Sequence, residues 1–193
     1  MAEKLKLLIA DDESIIRLDL RETLEAAGHT VVAEAGTGRE ALALAETLQP
    51  DVLILDIRMP DGDGLAVAEQ VGAKRLAPVI LLTAYQDREV VERARKAGTY
   101  MFLVKPFKEE ELLAAVGMAA ARHEEVRALE AELSDLKEKF ETRKLVDKAK
   151  GVLMDQYKLK ESEAFRLIQK RSMDDRKPLA AVAKEILDKV KAR

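Results

Sequence analysis

The sequence contains no cysteine, and only 4% of its residues are aromatic. Without cysteine the chain forms neither a disulfide nor a thiolate metal site. Its N-terminus also lacks a basic flank followed by a long apolar run, so we expect no export and no membrane insertion, and a cytoplasmic location is the default. The 193 residues, 48% of them hydrophobic, allow one ordinary domain and a smaller second one.

Charge is distributed unevenly along the chain, although the formal net charge is only −3. Residues 142–193 carry 15 basic and 8 acidic side chains, whereas residues 1–121 carry 14 and 21. An excess of positive charge in one segment is typical of a segment that meets a polyanion. The C-terminal segment is therefore a candidate for nucleic-acid binding, although a run of charge is more often a solvated face.

The first 121 residues predict an α/β domain. Five aliphatic runs, each followed by a helical pattern, read as strands: "KLLIA", "TVVAEA", "DVLILD", "PVILLTA" and "YMFLV". Runs such as "VLIL" have no polar interruption, which suits strands covered on both faces. We predict a (βα)5 doubly wound parallel sheet over residues 1–121, with a ligand site at the carboxyl ends of the strands.

Five polar residues fall at those strand ends. Asp11 and Asp12 close the first strand, Asp56 the third and Thr83 the fourth, and Lys105 follows the fifth. Three carboxylates repel one another unless a hard cation such as Mg²⁺ binds them. Asp56 ends the most apolar strand and is the best placed nucleophile toward phosphorus, while Lys105 and Thr83 suit phosphoryl oxygens. Taken singly, an Asp pair is usually a turn or a helix cap.

The turn "MPDGDG" follows the third predicted strand, which ends at Asp56. Gly62 and Gly64 permit backbone conformations that other residues avoid, and Asp63 can cap the next helix.

Helix formers run almost unbroken from Glu109 to Arg143. Within residues 122–141 apolar side chains recur every three or four positions, which predicts a dimerising coiled coil through Val126, Leu129, Leu133, Leu136 and Phe140. The alternative is an amphipathic helix that packs on its own chain.

Three further helices are predicted, at about 142–155, 160–173 and 178–191, and form a small all-α bundle over residues 142–193. Its predicted core comprises Leu145, Val152, Leu153, Leu159, Phe165, Leu167, Ile168, Leu179, Val182, Ile186 and Leu187.

The motifs "IADDE", "LDIRMPDGDG", "LLTA" and "FLVKPF" resemble the receiver domain of two-component response regulators, whose fold is flavodoxin-like, over residues 4 to about 121. The resemblance implies that Asp56 accepts a phosphoryl group from a sensor histidine kinase. It further implies that Asp12 and Asp56 bind Mg²⁺, with Asp11 acting through water and the backbone carbonyl of Arg58 as a further ligand.

The same resemblance makes Thr83 the switch hydroxyl, Lys105 the phosphate-binding lysine and Phe102 a ring that turns inward on activation. Phe102 reads equally well as an ordinary core aromatic. A stand-alone phosphohydrolase would need a second Asp two residues after the nucleophile, and Arg58 occupies that position.

The segments "AKGVLM" and "EAFRLIQKRSMDDRKPLAAVAKEIL" resemble the ANTAR domain of AmiR- and NasR-type antitermination regulators, over about 142–190. This implies an output module that binds structured RNA, often paired stem-loops, with Ala149, Lys150 and Arg176 as candidate contacts. We therefore expect a phosphorylation-controlled antiterminator that dimerises when it is modified. The alternative is a receiver whose helical output domain binds only protein.

Overall fold

The computed structural model describes residues 4–60, 62–84 and 101–191. Contacts divide the chain into two compact units, Met1–Val126 and Arg127–Arg193. The strands are β1 (Lys6–Ala10), β2 (Thr30–Ala35), β3 (Val52–Asp56), β4 (Arg58–Met59), β5 (Gly62–Asp63), β6 (Val79–Thr83) and β7 (Met101–Val104). The helices are α1 (Ser14–Ala26), α2 (Gly38–Leu48), α3 (Gly64–Ala73), α4 (Glu109–Tyr157), α5 (Glu161–Asp175) and α6 (Leu179–Lys191).

The first unit contains a five-stranded parallel sheet in the order β2-β1-β3-β6-β7. The strand order reverses between β1 and β3, which is where open sheets of this type bind ligands. β4 and β5 form a separate antiparallel pair that the sequence pattern did not predict. The predicted doubly wound α/β fold is confirmed.

Alternate residues of each central strand enter two separate cores, because successive side chains point to opposite faces. Leu53 and Leu55 of β3 pack with residues of α2 and α3, and Val52 and Ile54 pack with residues of α1 and α4. All four are fully buried. Both faces of the sheet are therefore covered, and its polar chemistry is restricted to the strand ends.

Helix α4 is a single helix of 49 residues that contributes to both units. It passes without a break through the predicted boundary between a linker and a bundle at 141/142. The boundaries 1–121, 122–141 and 142–193 remain predictions. The predicted fourth helix of the first domain falls in residues 85–100, outside the described residues.

The second unit has a core in which α4, α5 and α6 meet. Its buried members are Val146, Ala149, Leu153, Ala164, Ile168, Val182, Ala183 and Ile186. Two residues predicted for this core are in fact exposed, Phe165 by 37% and Leu167 by 46%. The small residues Ala149, Ala164 and Ala183 are fully buried members of this core, beside the larger Val146, Leu153, Ile168, Val182 and Ile186.

Within the described ranges, no helix is both long enough and apolar enough to cross a membrane.

Candidate functional site

The end of β1 holds Asp11 and Asp12 in different environments. Asp11 is fully buried, whereas Asp12 is exposed. The Asp11 amide donates to the carbonyl oxygen of Ala35 at 3.2 Å, and its Oδ1 accepts a hydrogen bond from the Glu13 amide at 3.0 Å. Asp11 is therefore fixed at the sheet edge, while the Asp12 carboxylate is turned to solvent.

Lys105 joins the ends of three strands. Its Nζ lies 2.6 Å from Asp11 Oδ2 and 2.7 Å from Asp56 Oδ1. Its amide also donates to the carbonyl oxygen of Thr83 at 2.7 Å. The other oxygen of Asp56, Oδ2, accepts a hydrogen bond from the Arg58 amide at 2.7 Å. Four of the five strand-end residues predicted from the sequence thus form one cluster, and Asp12 lies beside it.

Burial and pairing act in opposite directions on these charges. Burial raises the pKa of Asp56, and the hydrogen bond and charge of Lys105 only partly offset that effect. Burial alone would lower the pKa of Lys105, but its hydrogen bonds to Asp11 and Asp56 outweigh it, so the pKa is raised. Lys105 is therefore a firmly held cation beside a carboxylate that gains from any further positive charge.

The donor set suits a hard cation that keeps several waters. Two carboxylates converge on the ammonium of Lys105, which shows that this point of the sheet edge attracts positive charge. Across the described residues, however, no three acidic or histidine side chains already stand close enough together to hold a metal. Binding through Asp11, Asp12 and Asp56 therefore requires the Asp12 carboxylate to turn toward the other two.

Thr83 and Phe102, the two predicted switch residues, differ in exposure. Thr83 is buried, with 8% of its surface accessible, whereas Phe102 is 43% exposed. The reading of Phe102 as a core aromatic is therefore wrong, because its ring lies largely outside both cores. An outward ring is the starting position that the switch prediction requires, and that prediction is not tested further by the structure.

Gly64 begins α3 directly against the end of β3. A Cβ on Gly64 would lie 2.1 Å from the carbonyl oxygen of Asp56, and the Gly64 amide donates to the carbonyl oxygen of Ile57 at 2.8 Å. Its φ is not in the left-handed region. The sequence-based reason for this glycine, an unusual backbone conformation, is thus wrong, and the requirement is space beside Asp56.

Arg17 is a residue at this site that the sequence analysis missed. Its Nη1 donates to the carbonyl oxygens of Asp11 and Asp12, at 2.7 and 3.3 Å, and its Nε donates to Glu34 at 3.2 Å. Side chains in a helix lean toward its N-terminus, so an arginine one turn into α1 reaches back to the loop before it. The N-terminal lean of helix side chains was thus the one signal in the sequence that could have placed Arg17 at this loop.

The candidate RNA contacts in the second unit have three different environments. Ala149 is fully buried in the core, so its side chain offers no surface to RNA, and its assignment as a contact is corrected on that ground. Lys150 pairs with Asp147 at 2.7 Å and Glu161 at 2.8 Å, and these hydrogen bonds raise its pKa. Arg176 is exposed at the left-handed C-cap of α5.

The predicted coiled-coil positions on α4 form a row of exposed apolar side chains. The exposures are 65% for Leu129, 51% for Leu133, 63% for Leu136 and 66% for Phe140, and Val126 is partly buried. We call Leu129, Leu133, Leu136 and Phe140 the apolar seam. These four side chains do not pack on their own chain, which contradicts the alternative reading for them.

Comparison with known proteins gives matches over both units. Residues 7–117 match the response regulator receiver domain, and residues 134–187 match the ANTAR domain. The transcriptional regulatory protein PdtaR of Mycobacterium tuberculosis (strain CDC 1551 / Oshkosh) is 45% identical over 183 residues, covering 95% of this chain and 89% of that protein.

Two other relatives cover the first unit. The chemotaxis protein CheY of Listeria monocytogenes is 39% identical over 117 residues, which is 60% of this chain and 98% of CheY. The receiver domain structure of the putative response regulator NarL from Mycobacterium tuberculosis aligns with a TM-score of 0.59 and 34% identity, covering 62% of this chain and 98% of that one.

The parallel sheet, with Asp11, Asp56 and Lys105 joined at its edge, defines a receiver domain. Since the receiver match covers more than half of the chain and the similarity to PdtaR extends through the second unit, the chain belongs to the two-component response regulators that carry an ANTAR output domain.

Proposed function

We propose that this chain is a phosphorylation-controlled RNA-binding antiterminator that accepts a phosphoryl group on Asp56 from a sensor histidine kinase in the cytoplasm. The observation that carries the acceptor role is Lys105 Nζ, held 2.7 Å from Asp56 Oδ1 and 2.6 Å from Asp11 Oδ2 at the point where the strand order reverses. The kinase, the RNA and dimerisation on phosphorylation are parts of this proposal.

The residues at the sheet edge divide the chemistry among them. A carboxylate oxygen of Asp56 attacks the phosphorus of the kinase's phosphohistidine. The P–N bond breaks, the histidine imidazole leaves, and Asp56 becomes an acyl phosphate. Lys105 then neutralises phosphoryl oxygens, and the Thr83 hydroxyl donates a hydrogen bond to one of them. Asp12, Asp56 and the Arg58 carbonyl would hold Mg²⁺, with Asp11 acting through water, and the cation supplies further charge neutralisation. The chain serves as an acceptor that loses the group slowly, not as a turnover enzyme.

The acceptor is tested by labelling the full chain with acetyl phosphate and Mg²⁺ and weighing the intact protein. Asp56→Asn should gain no phosphoryl mass, because an amide is a poor nucleophile. Asp51→Asn is the matched control. Asp51 lies just before the start of β3, at the end away from Asp56, and accepts a hydrogen bond from the Lys6 amide. That control should label like the unchanged protein. Labelling of Asp56→Asn at the normal rate would move the acceptor to another residue.

The RNA part rests on the basic charge of residues 142–193 and the ANTAR match. RNA held through several phosphates loses affinity steeply as salt rises, on the order of tenfold or more between about 50 and 200 mM. A binding titration of structured RNA against salt tests this directly. Two observations count against two of the predicted RNA contacts and keep the alternative, a protein partner, open: Ala149 is buried and Lys150 is already paired. Absence of RNA binding at low salt would support that alternative.

The antitermination step needs its own assay. We propose that the second unit stabilises an antiterminator stem-loop at the expense of a terminator. In transcription from a template with both elements, phosphorylated protein should increase read-through, and Asp56→Asn protein should not. Binding without any change in read-through would leave an RNA-binding regulator that is not an antiterminator.

A further inference from the structure

Arg17 reaches from α1 to the loop that carries the two acidic residues after β1. One nitrogen, Nη1, donates to two consecutive carbonyl oxygens, of Asp11 at 2.7 Å and of Asp12 at 3.3 Å. Nε of the same guanidinium donates to Glu34 Oε2 at 3.2 Å. With 19% of its side chain accessible, Arg17 is mostly withdrawn from solvent.

Glu34 ties this arrangement to the sheet. It lies on β2, in register with Ile9 of β1, and also pairs with Arg21 one turn further along α1. The guanidinium is planar and its donors are in fixed positions, so contacts to Glu34 and to the two carbonyls define one orientation. The direction of the backbone between Asp11 and Asp12 is therefore set by a side chain that contacts neither carboxylate.

Asp12 depends on that backbone more than Asp11 does. The Asp11 carboxylate is buried and held by Lys105 and the Glu13 amide, whereas the Asp12 carboxylate is exposed. A backbone that is already fixed reduces the conformational entropy that an exposed ligand loses when it turns toward a cation. Groups that support metal ligands from behind commonly change metal affinity by roughly 10- to 100-fold when they are removed.

We infer that Arg17 is a positioning residue for the cation site: it holds the Asp11–Asp12 backbone so that the Asp12 carboxylate can reach Mg²⁺. This inference rests on the proposed function, because it concerns the same site. It adds a residue that holds carbonyl groups of the loop and is itself neither a ligand nor an acceptor.

The charge of Arg17 makes the inference testable, because two effects have opposite signs. A positive charge close to a site for a dication weakens binding, so its removal by itself should tighten Mg²⁺ binding. Loss of positioning should weaken it. The direction of the change therefore distinguishes a positioning residue from a bystander charge.

The experiment is a Mg²⁺ titration of the full chain, followed by calorimetry or by amide chemical shifts. Arg17→Met should bind Mg²⁺ about tenfold more weakly despite losing a positive charge. Arg17→Lys keeps the charge but cannot span both carbonyls and Glu34, so it should also bind more weakly. Arg21→Met is the matched control. Arg21 pairs with the same Glu34 but donates no hydrogen bond to the loop, so the Mg²⁺ affinity of this variant should not fall.

A second readout separates positioning from general damage. At saturating Mg²⁺ the labelling rate of the Arg17 variants should return toward that of the unchanged protein, because only cation affinity is impaired. Thermal unfolding without Mg²⁺ identifies any variant that fails to fold. If Arg17→Met fails to fold, the Mg²⁺ affinity of Arg17→Lys tests the inference instead.

Mg²⁺ binding that is unchanged or tighter in the folded Arg17 variants overturns the inference and leaves the proposed function intact. An unchanged protein that takes up no Mg²⁺ at all overturns the proposed function, and the role of Arg17 with it.

Discussion

Gly64 occupies a position where even one methyl group meets the backbone at the end of β3, the strand that carries Asp56. An added Cβ would lie 2.1 Å from the Asp56 carbonyl oxygen and 3.0 Å from the Cα of Ile57. Neither atom belongs to a flexible side chain, so α3 or the end of β3 must move. We expect Gly64→Ala to lower the free energy of unfolding by about 1–3 kcal/mol and to slow labelling of Asp56, because overpacking shifts the backbone.

Gly117→Ala is the control for this change. Gly117 lies inside α4 in the same unit, and a Cβ there meets no atom within 4 Å. Alanine should therefore stabilise the protein by about 1 kcal/mol through helix propensity alone. Urea unfolding measures both variants. Equal stabilities for the two alanine variants would contradict the close approach at Gly64.

Arg176 is the exposed residue among the three candidate RNA contacts. Its backbone conformation allows its charge to be removed without strain. Its φ of 51° is left-handed, where glycine is the less strained residue. We expect Arg176→Gly to keep or increase stability by up to ~1 kcal/mol. If its charge meets a phosphate, RNA binding should weaken, and the slope of log affinity against log salt should fall by about 1.

Lys158→Gly is the matched comparison for Arg176→Gly. Lys158 is also an exposed basic residue of the second unit with a left-handed φ, 56°. Lys158→Gly therefore removes one positive charge at a left-handed backbone position, as Arg176→Gly does. An identical effect of both changes on RNA binding would indicate a general electrostatic attraction instead of a contact at Arg176.

At the scale of whole elements, the apolar seam of α4 is exposed where a second helix could cover it. Leu133 and Leu136 are 51% and 63% exposed and lie outside the core of the second unit. The double change Leu133→Glu with Leu136→Glu should therefore leave the stability of the monomer nearly unchanged while preventing dimerisation, since charges at coiled-coil core positions are unfavourable.

Sedimentation of the protein with beryllofluoride and Mg²⁺, a stable mimic of the phosphorylated state, measures this effect. Ser134→Glu adds one negative charge, where the double variant adds two, on another face of the same exposed stretch of α4, and it should dimerise normally. Dimers that persist in the double variant would show that pairing uses a different surface.

The elements that the sequence predicted well are those governed by hydrophobic pattern. The uninterrupted run at Val52–Leu55 is fully buried, as strands covered on both faces require. Strand ends in a parallel sheet meet at one edge, so Asp11, Asp56 and Lys105 were predictable as neighbours before any distance was known.

What the sequence did not reveal depends on packing partners distant in the chain. Phe165 and Leu167 are apolar yet exposed, whereas the small residues Ala149 and Ala164 belong to the buried core, and apolar character alone does not separate the two groups. Lys150 looked available for RNA, but Glu161, eleven residues later, takes part in its ion pairs. Arg17 was overlooked because it donates to backbone carbonyl groups, which every residue carries, and only its place one turn into α1 pointed to that loop.

In the whole molecule, pairing of two chains is the proposed link between phosphorylation of Asp56 in the first unit and RNA binding by the basic residues of the second unit. A dimer presents two copies of residues 142–193, each with 15 basic and 8 acidic side chains. Two linked binding events strengthen each other, by on the order of 10²-fold or more, without any new contact. In the proposed mechanism, phosphorylation would control RNA binding by controlling dimerisation.

This mechanism predicts which RNA should respond to phosphorylation. With beryllofluoride and Mg²⁺, the protein should bind an RNA with two adjacent stem-loops much more tightly than an RNA with one, because the second binding event is intramolecular. Asp56→Asn should abolish the difference, since it cannot reach the activated state, and so should the double seam variant, which cannot pair. Both should keep the weaker affinity for the single stem-loop, which needs one copy of the second unit. A preference for two stem-loops that survives in the seam variant would mean that the chains pair through a different surface. Tighter binding of that variant to the single stem-loop on activation would instead mean that phosphorylation acts on each chain separately.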